Sequence, residues 1–249
     1  MLVLIGLGLW NEKDITLRGL EEAKSSDVVF LEKYTSKLMG SNKEKLEDLI
    51  GKKIQFADRN FLESGEVIAT ARNNKVALLV AGDPMVATTH SQLILDAEKQ
   101  GVKTRVIHNA SIYSAVAETG LQIYKFGRSA TITFWQGDYK PTSWFDIYLE
   151  NKERGLHTLF FLDLNLDEGK MMSAKEGLEK LIEIGKEKGG FDEKTYCVVA
   201  SQIGSLGRVI KAGEASELLK KDLGAPLQVI IVPGKLHEAE ENFLKMLEE

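Results

Sequence analysis

Short apolar runs recur along the chain, separated by stretches whose apolar positions fall every three or four residues; that alternation predicts α/β layering. In the first half the runs place strands at Leu2 to Ile5, Val28 to Leu31, Ile54 to Phe56, Val76 to Ala81 and Thr104 to Ile107. In the second half they fall at Ala130 to Phe134, Thr158 to Leu162, Tyr196 to Ala200, Arg208 to Lys211 and Gln228 to Val232. Asn60 with Glu63 has the spacing of a capping box and opens a predicted helix running to about Arg72. Ser173 with Glu176 opens another, whose buried stripe is Ala174, Leu178, Leu181, Ile182 and Gly185. A closing helix, about His237 to Leu247, is expected to bury Ala239, Phe243 and Leu247, with His237 at its start. A domain boundary is placed near residues 108 to 113.

Composition narrows the class. With 249 residues, 43% hydrophobic and 28% charged, the chain reads as a water-soluble protein of one large or two modest domains, expected in the cytoplasm. No apolar run approaches a membrane span, and "MLVLIGLG" reads as a first strand rather than a signal peptide. A net charge of −5 offers no overall attraction to phosphate backbones, so neither nucleic acid nor membrane is an expected partner. The single cysteine, Cys197 in "YCVVA", is expected in the core.

Several chemistries lack their residues. Gly6-Leu7-Gly8 is followed by Leu9, Trp10 and Asn11, without the third glycine of a dinucleotide fingerprint. No glycine-rich loop ends in Gly-Lys-Ser or Gly-Lys-Thr, and no Gly-x-Ser-x-Gly elbow follows a strand. His90, His108, His157 and His237 are scattered, so no metal is expected and each histidine reads as structural. Three loops remain beyond strand ends, where open parallel sheets bind ligands: "GLGLW" (6–10), "GDPMVATT" (82–89) and "HNASIYSAV" (108–116). Gly-Asp-Pro alone is a plain turn, but convergence with two other loops makes Asp83 a candidate partner for a hydroxyl or a cationic amine. Ser111 is placed to cap a helix. Trp10, Tyr34, Trp135 and Trp144 read as packing residues.

The stretches "IGLGLWNEKDITLRGLE", "GDPMVATTH", "SIYSAVAETGLQIYKFG", "PTSWFD", "ERGLHTLFFLDL" and "VPGKLH" resemble, from end to end, the tetrapyrrole methylase-like S-adenosylmethionine methyltransferases. "GDPMVATTH" with "SIYSAV" and "GLQIYKFG" is similar to one branch of them, the diphthine synthases. That resemblance implies a class III methyltransferase: two α/β domains, 1–110 with the Gly-Asp-Pro loop and 111–249 completing the site. S-adenosyl-L-methionine would lie in the cleft between them, leaving as S-adenosyl-L-homocysteine. Carried over by position, the cofactor contacts are Leu9, Asp83, Val86, Ser111, Ile112, Leu162, Ile203 and Gln228. Many relatives have Arg and His where this chain has Gln202 and Gln228, which leaves the contact at Gln228 to the main chain. The implied substrate is translation elongation factor 2 bearing a 3-amino-3-carboxypropyl-histidine, and the implied assembly is a homodimer. Two rival functions stay open: methylation of a tetrapyrrole, and binding of S-adenosylmethionine without catalysis.

Overall fold

The computed structural model describes residues 1–166 and 168–248, in two compact units, Met1–Tyr113 and Ser114–Glu249. In the first unit β1 (Leu2–Gly6), β2 (Val28–Glu32), β3 (Ile54–Ala57), β4 (Val76–Val80) and β5 (Thr104–Ile107) form a wholly parallel sheet, ordered β3-β2-β4-β1-β5. The helices are α1 (Leu17–Ser25), α2 (Lys43–Ile50), α3 (Arg59–Glu63), α4 (Glu66–Asn73) and α5 (His90–Lys99), and α6 (Ile112–Ala115) straddles the boundary. Leu2, Leu4, Leu78 and Val80 face α4 and α5 through Ile68 and Leu93, while Val3, Ile5 and Leu79 face α1 and α2 through Ala23 and Leu46. Burial on both faces is why these strands read as unbroken apolar runs. Neighbours β1 and β4 send their connections in opposite directions, to β2 and to β5, which opens the chain outward at their carboxyl ends.

The second unit holds β6 (Ala130–Ile132), β7 (Thr158–Leu162), β8 (Leu164–Asn165), β9 (Lys170–Met171), β10 (Tyr196–Ser201), β11 (Val209–Glu214) and β12 (Gln228–Val232). Its helices are α7 (Ser143–Glu153), α8 (Ala174–Lys188), α9 (Ala215–Leu218) and α10 (Glu238–Lys245). The main sheet, ordered β11-β10-β12-β7-β6, departs from the first: only β6 and β7 run parallel, and the other neighbours are antiparallel. The hairpin β8–β9 is too short to leave a mark in hydropathy. α8 has the predicted capping box and buries Ala174, Leu178, Leu181, Ile182 and Gly185; Cys197 is buried in the same core.

Two predicted helices need correction. The cap before α3 is Asp58, whose side chain accepts from Phe61 N–H, and not Asn60; the helical run also breaks at Ser64 and Gly65, where Gly65 has φ +82°. Asp58 prevails because β3 ends at Ala57, so the chain is already turning one residue later. α10 buries Glu240 and Leu244; Ala239 and Phe243 are exposed and Leu247 is half-buried. The face is chosen by a buried carboxylate with partners elsewhere in the unit, a choice apolar spacing does not report. His237 caps α10, as expected. Among the described residues no helix is long and apolar enough to cross a membrane.

Candidate functional site

The loops after β1 and β4 are joined backbone to backbone: Gly82 N–H donates to Gly8 O at 2.8 Å, and Gly8 N–H to Gly82 O at 3.2 Å. Gly6 permits that approach, because a Cβ there would lie 2.7 Å from Gly82 O and 2.8 Å from Asn109 Cβ. The loop after β5 joins through Asn109, whose Nδ2 donates at 2.9 Å to both Gly6 O and Asp14 O while its Oδ1 accepts from Ala110 N–H at 2.8 Å. Asn109 is not among the residues that the sequence singles out. Its one local signal is a turn-forming residue directly after a strand, in "HNAS".

Asp83, 6% exposed, is both turn residue and clamp. Its Oδ1 accepts from Met85 N–H at 2.8 Å; its Oδ2 accepts from Asn109 N–H at 3.0 Å and His108 Nδ1–H at 2.9 Å. Of the roughly four acceptor positions on a carboxylate, these three donors leave one for a ligand. The rest of the loop is pinned from within, with His90 Nδ1–H at 2.8 Å and Thr88 Oγ1–H at 3.0 Å both donating to Pro84 O. Ala87 has φ +54°, and Gln202 in the second unit has φ +52°; among the described residues these are the non-glycine positions in the left-handed region. Such backbone costs on the order of 1–3 kcal/mol and gathers at ligand sites. Each adjoins a residue singled out by resemblance, Val86 and Ile203.

Within the first unit, Leu9, Asp83, Val86, Ser111 and Ile112 all stand on the loops or the helix start following β1, β4 and β5. Leu9, Val86 and Ile112 are half-buried, as apolar walls of a ligand pocket are, and Asp83 and Ser111 are buried. α6 has a single turn, so Ser111 stands before a helix too short for an appreciable dipole. In the second unit Leu162 ends β7, Ile203 follows β10 and Gln228 opens β12, all three buried. The Gln228 side chain is committed internally: Nε2 donates to Ser201 Oγ at 2.8 Å and Leu223 O at 2.8 Å, and Oε1 accepts from Ala174 N–H at 2.7 Å. Both Nε2 hydrogens are thus used within the unit.

The aromatic residues singled out in the sequence pack against neighbouring groups. Trp144 lies edge-on to Phe145 and Phe160, Trp135 lies beneath the ammonium groups of Lys140 and Lys180, Tyr34 lies beneath Arg59, and Trp10 covers Gly40. Among the described residues no group of three or more His, Cys, Asp or Glu is placed to hold a metal ion.

Comparison with known proteins places these loops in a family. The family model for Tetrapyrrole (Corrin/Porphyrin) Methylases matches residues 1–219. The diphthine synthase of Methanocaldococcus jannaschii is 44% identical, over 99% of this chain and 98% of its own. The diphthine methyl ester synthase of Eremothecium gossypii is 41% identical, over 98% of this chain and 89% of its own. Among solved structures, a protein of Entamoeba histolytica superposes with a TM-score of 0.92 at 38% identity, covering 99% of this chain and 98% of that one. A diphthine synthase superposes at 0.89 with 39% identity, covering 99% and 95%.

Proposed function

The chain belongs to the tetrapyrrole methylase family and, within it, to the diphthine synthases, and from that membership we propose that it methylates translation elongation factor 2. It is a methyltransferase. The donor in this reading is S-adenosyl-L-methionine, and the acceptor is the amine of the 3-amino-3-carboxypropyl-histidine. The product is diphthine, on the way to diphthamide. The observation that carries the reading is the 44% identity to the Methanocaldococcus jannaschii diphthine synthase across 99% of this chain.

When bound, the donor supplies a sulfonium carbon that amines attack readily, so positioning is the main demand on the protein. Leu9, Val86 and Ile112 supply the apolar flanks, and the clamp formed by Asp83 and Asn109 holds their loops in register. Leu162, Ile203 and the main chain of Gln228 are the contacts we assign to the second unit. The family resemblance further supports a homodimer acting in the cytoplasm, without nucleic acid or membrane.

Factor carrying the extended histidine, incubated with enzyme and donor, is expected to gain up to three methyl groups by mass spectrometry; factor with unmodified histidine gains none. Equal labelling of both, or labelling of a tetrapyrrole precursor instead, would mean the right family and the wrong substrate. The name of the Eremothecium gossypii relative favours a second reading, with a further methyl placed as an ester. A fourth methyl that is removed by mild alkali distinguishes it, because esters hydrolyse there and alkylated amines do not. Turnover is expected to survive exhaustive chelation; a loss restored by zinc would overturn the metal-free reaction.

A further inference from the structure

Resting on that reading, the geometry points to Asp83 and His108 as the proton-handling pair of the methyl transfer: His108 Nε2 takes the proton from the substrate ammonium, and Asp83 holds the ring for it. Asp83 Oδ2 already accepts from the Asn109 N–H, and Oδ1 from the Met85 N–H, so the carboxylate acts as an acceptor throughout. The His108 Nδ1 at 2.9 Å from Oδ2 therefore carries the hydrogen, and in the neutral ring the lone pair sits on Nε2. The two side chains differ sharply in exposure, 7% for Asp83 and 70% for His108, so a buried carboxylate orients a ring that solvent and substrate can reach.

The other three histidines lack this combination. His90 is buried with Nδ1 on Pro84 O; His157 is buried with Nδ1 accepting from Gly234 N–H and Nε2 donating to Glu240; His237 caps α10. Asp83 is the carboxylate that meets the His108 ring. Asp14, tied to the same loop through its main-chain oxygen, has its carboxylate taken by the N–H groups of Trp10 and Asn11. His108 also stands at the end of β5, three residues before Ser111, on the loop assigned to the donor.

An ammonium has no lone pair to attack with. In each round the N–H bond breaks toward His108 Nε2, leaving its electrons on nitrogen. The freed pair then forms the new N–C bond while the S–C bond breaks, and sulfur keeps that pair as a thioether. His108 passes the proton to solvent. Three rounds release three protons and three thioethers and end at a quaternary nitrogen that carries no proton. A base held beside the amine in this way commonly contributes about 100-fold or more.

His108→Ala is expected to lower kcat about 100-fold at neutral pH, the usual size of a general-base contribution, with the Kd for S-adenosylhomocysteine by calorimetry unchanged. The deficit should shrink at pH values where the substrate amine is neutral in solution, a convergence that a purely structural role would not produce. His108→Gln keeps the bulk and should show the same deficit. Nitrogen-15 NMR of the chain without donor should find His108 protonated at Nδ1, with Nε2 as the acceptor, and Asp83→Asn should weaken that preference. Unchanged kcat in both His108 variants, a deficit constant across pH, loss of S-adenosylhomocysteine binding in both, or the opposite tautomer in the wild type would each overturn the pairing. Failure of the wild type itself on the modified factor would instead remove the proposed substrate, whatever the NMR result.

Discussion

Replacing Glu240 by alanine is expected to lower the unfolding free energy by about 3–5 kcal/mol in urea titration, the usual cost of removing one partner of a buried ion pair. Glu240 is fully buried on α10 and accepts from His157 Nε2 at 3.0 Å, Gln122 N–H at 2.9 Å, His237 N–H at 2.8 Å and the Lys125 ammonium. Alanine would strand the buried His157 ring and take the shared acceptor from the other three donors. Burial pushes the carboxyl of Glu240 up, but the hydrogen bonds, Lys125 foremost, outweigh it and bring it from 4.5 down to about 2. A folded-state value below the unfolded one means stability that is present above pH 4.5 and is lost as pH falls from there toward 2. His157 adds loss of the same sign, because burial holds its ring below the ordinary 6.5 and the unfolded chain takes up that proton first. The wild type should therefore begin to weaken below about pH 6.5 and do so more steeply below 4.5, whereas Glu240→Ala should lack the steeper part. A change under about 1 kcal/mol, the range of an exposed pair, would show that the cluster contributes no more than surface charge does.

Asn109→Ala is expected to weaken binding of S-adenosylhomocysteine roughly 100-fold, about 2.7 kcal/mol, while the chain stays folded. Two carbonyls, Gly6 O and Asp14 O, lose their donor, and the β5 loop loses its tie to the β1 loop. Carbonyls left without partners cost about 1–3 kcal/mol each when water cannot replace the donor. The loss falls on the loops because β1 keeps its own ladder to β4 and β5. Asn109→Asp keeps the size and an oxygen for Ala110 N–H, but turns a carboxylate toward two carbonyls, so it should bind no better than the alanine variant. Calorimetry checks both, and affinity within about threefold of wild type would remove Asn109 from the binding platform.

Where burial is two-sided or a cap is purely local, the chain could be read directly. β7 and β12 fall on the predicted residues, and the Ser173 box on α8 closes as its spacing requires. Asn60 misled because two capping residues stand two positions apart in "DRN" and the end of β3 decides between them. The direction of the strands in the second sheet was hidden, since an apolar run packs the same way in either orientation and only the path of the connections reverses it. On α10 the apolar positions pointed to Ala239 and Phe243, while the buried face carries a carboxylate that no hydropathy scale places inside.

The residues around the three loops divide in the same way. Periodicity and turn chemistry alone determined that loops would open after β1, β4 and β5 and that Asp83 would stand in one of them, because a buried strand and the turn that ends it are set by near neighbours. What only the tertiary structure decided is who meets whom: Asn109 with Gly6 across 103 residues, His108 with Asp83 across 25, and His157 with Glu240 across 83. A polar side chain has several partners open to it while the chain is extended. Its partners are fixed only when the fold decides which groups lie within reach and at least one side of the contact is shut away from water.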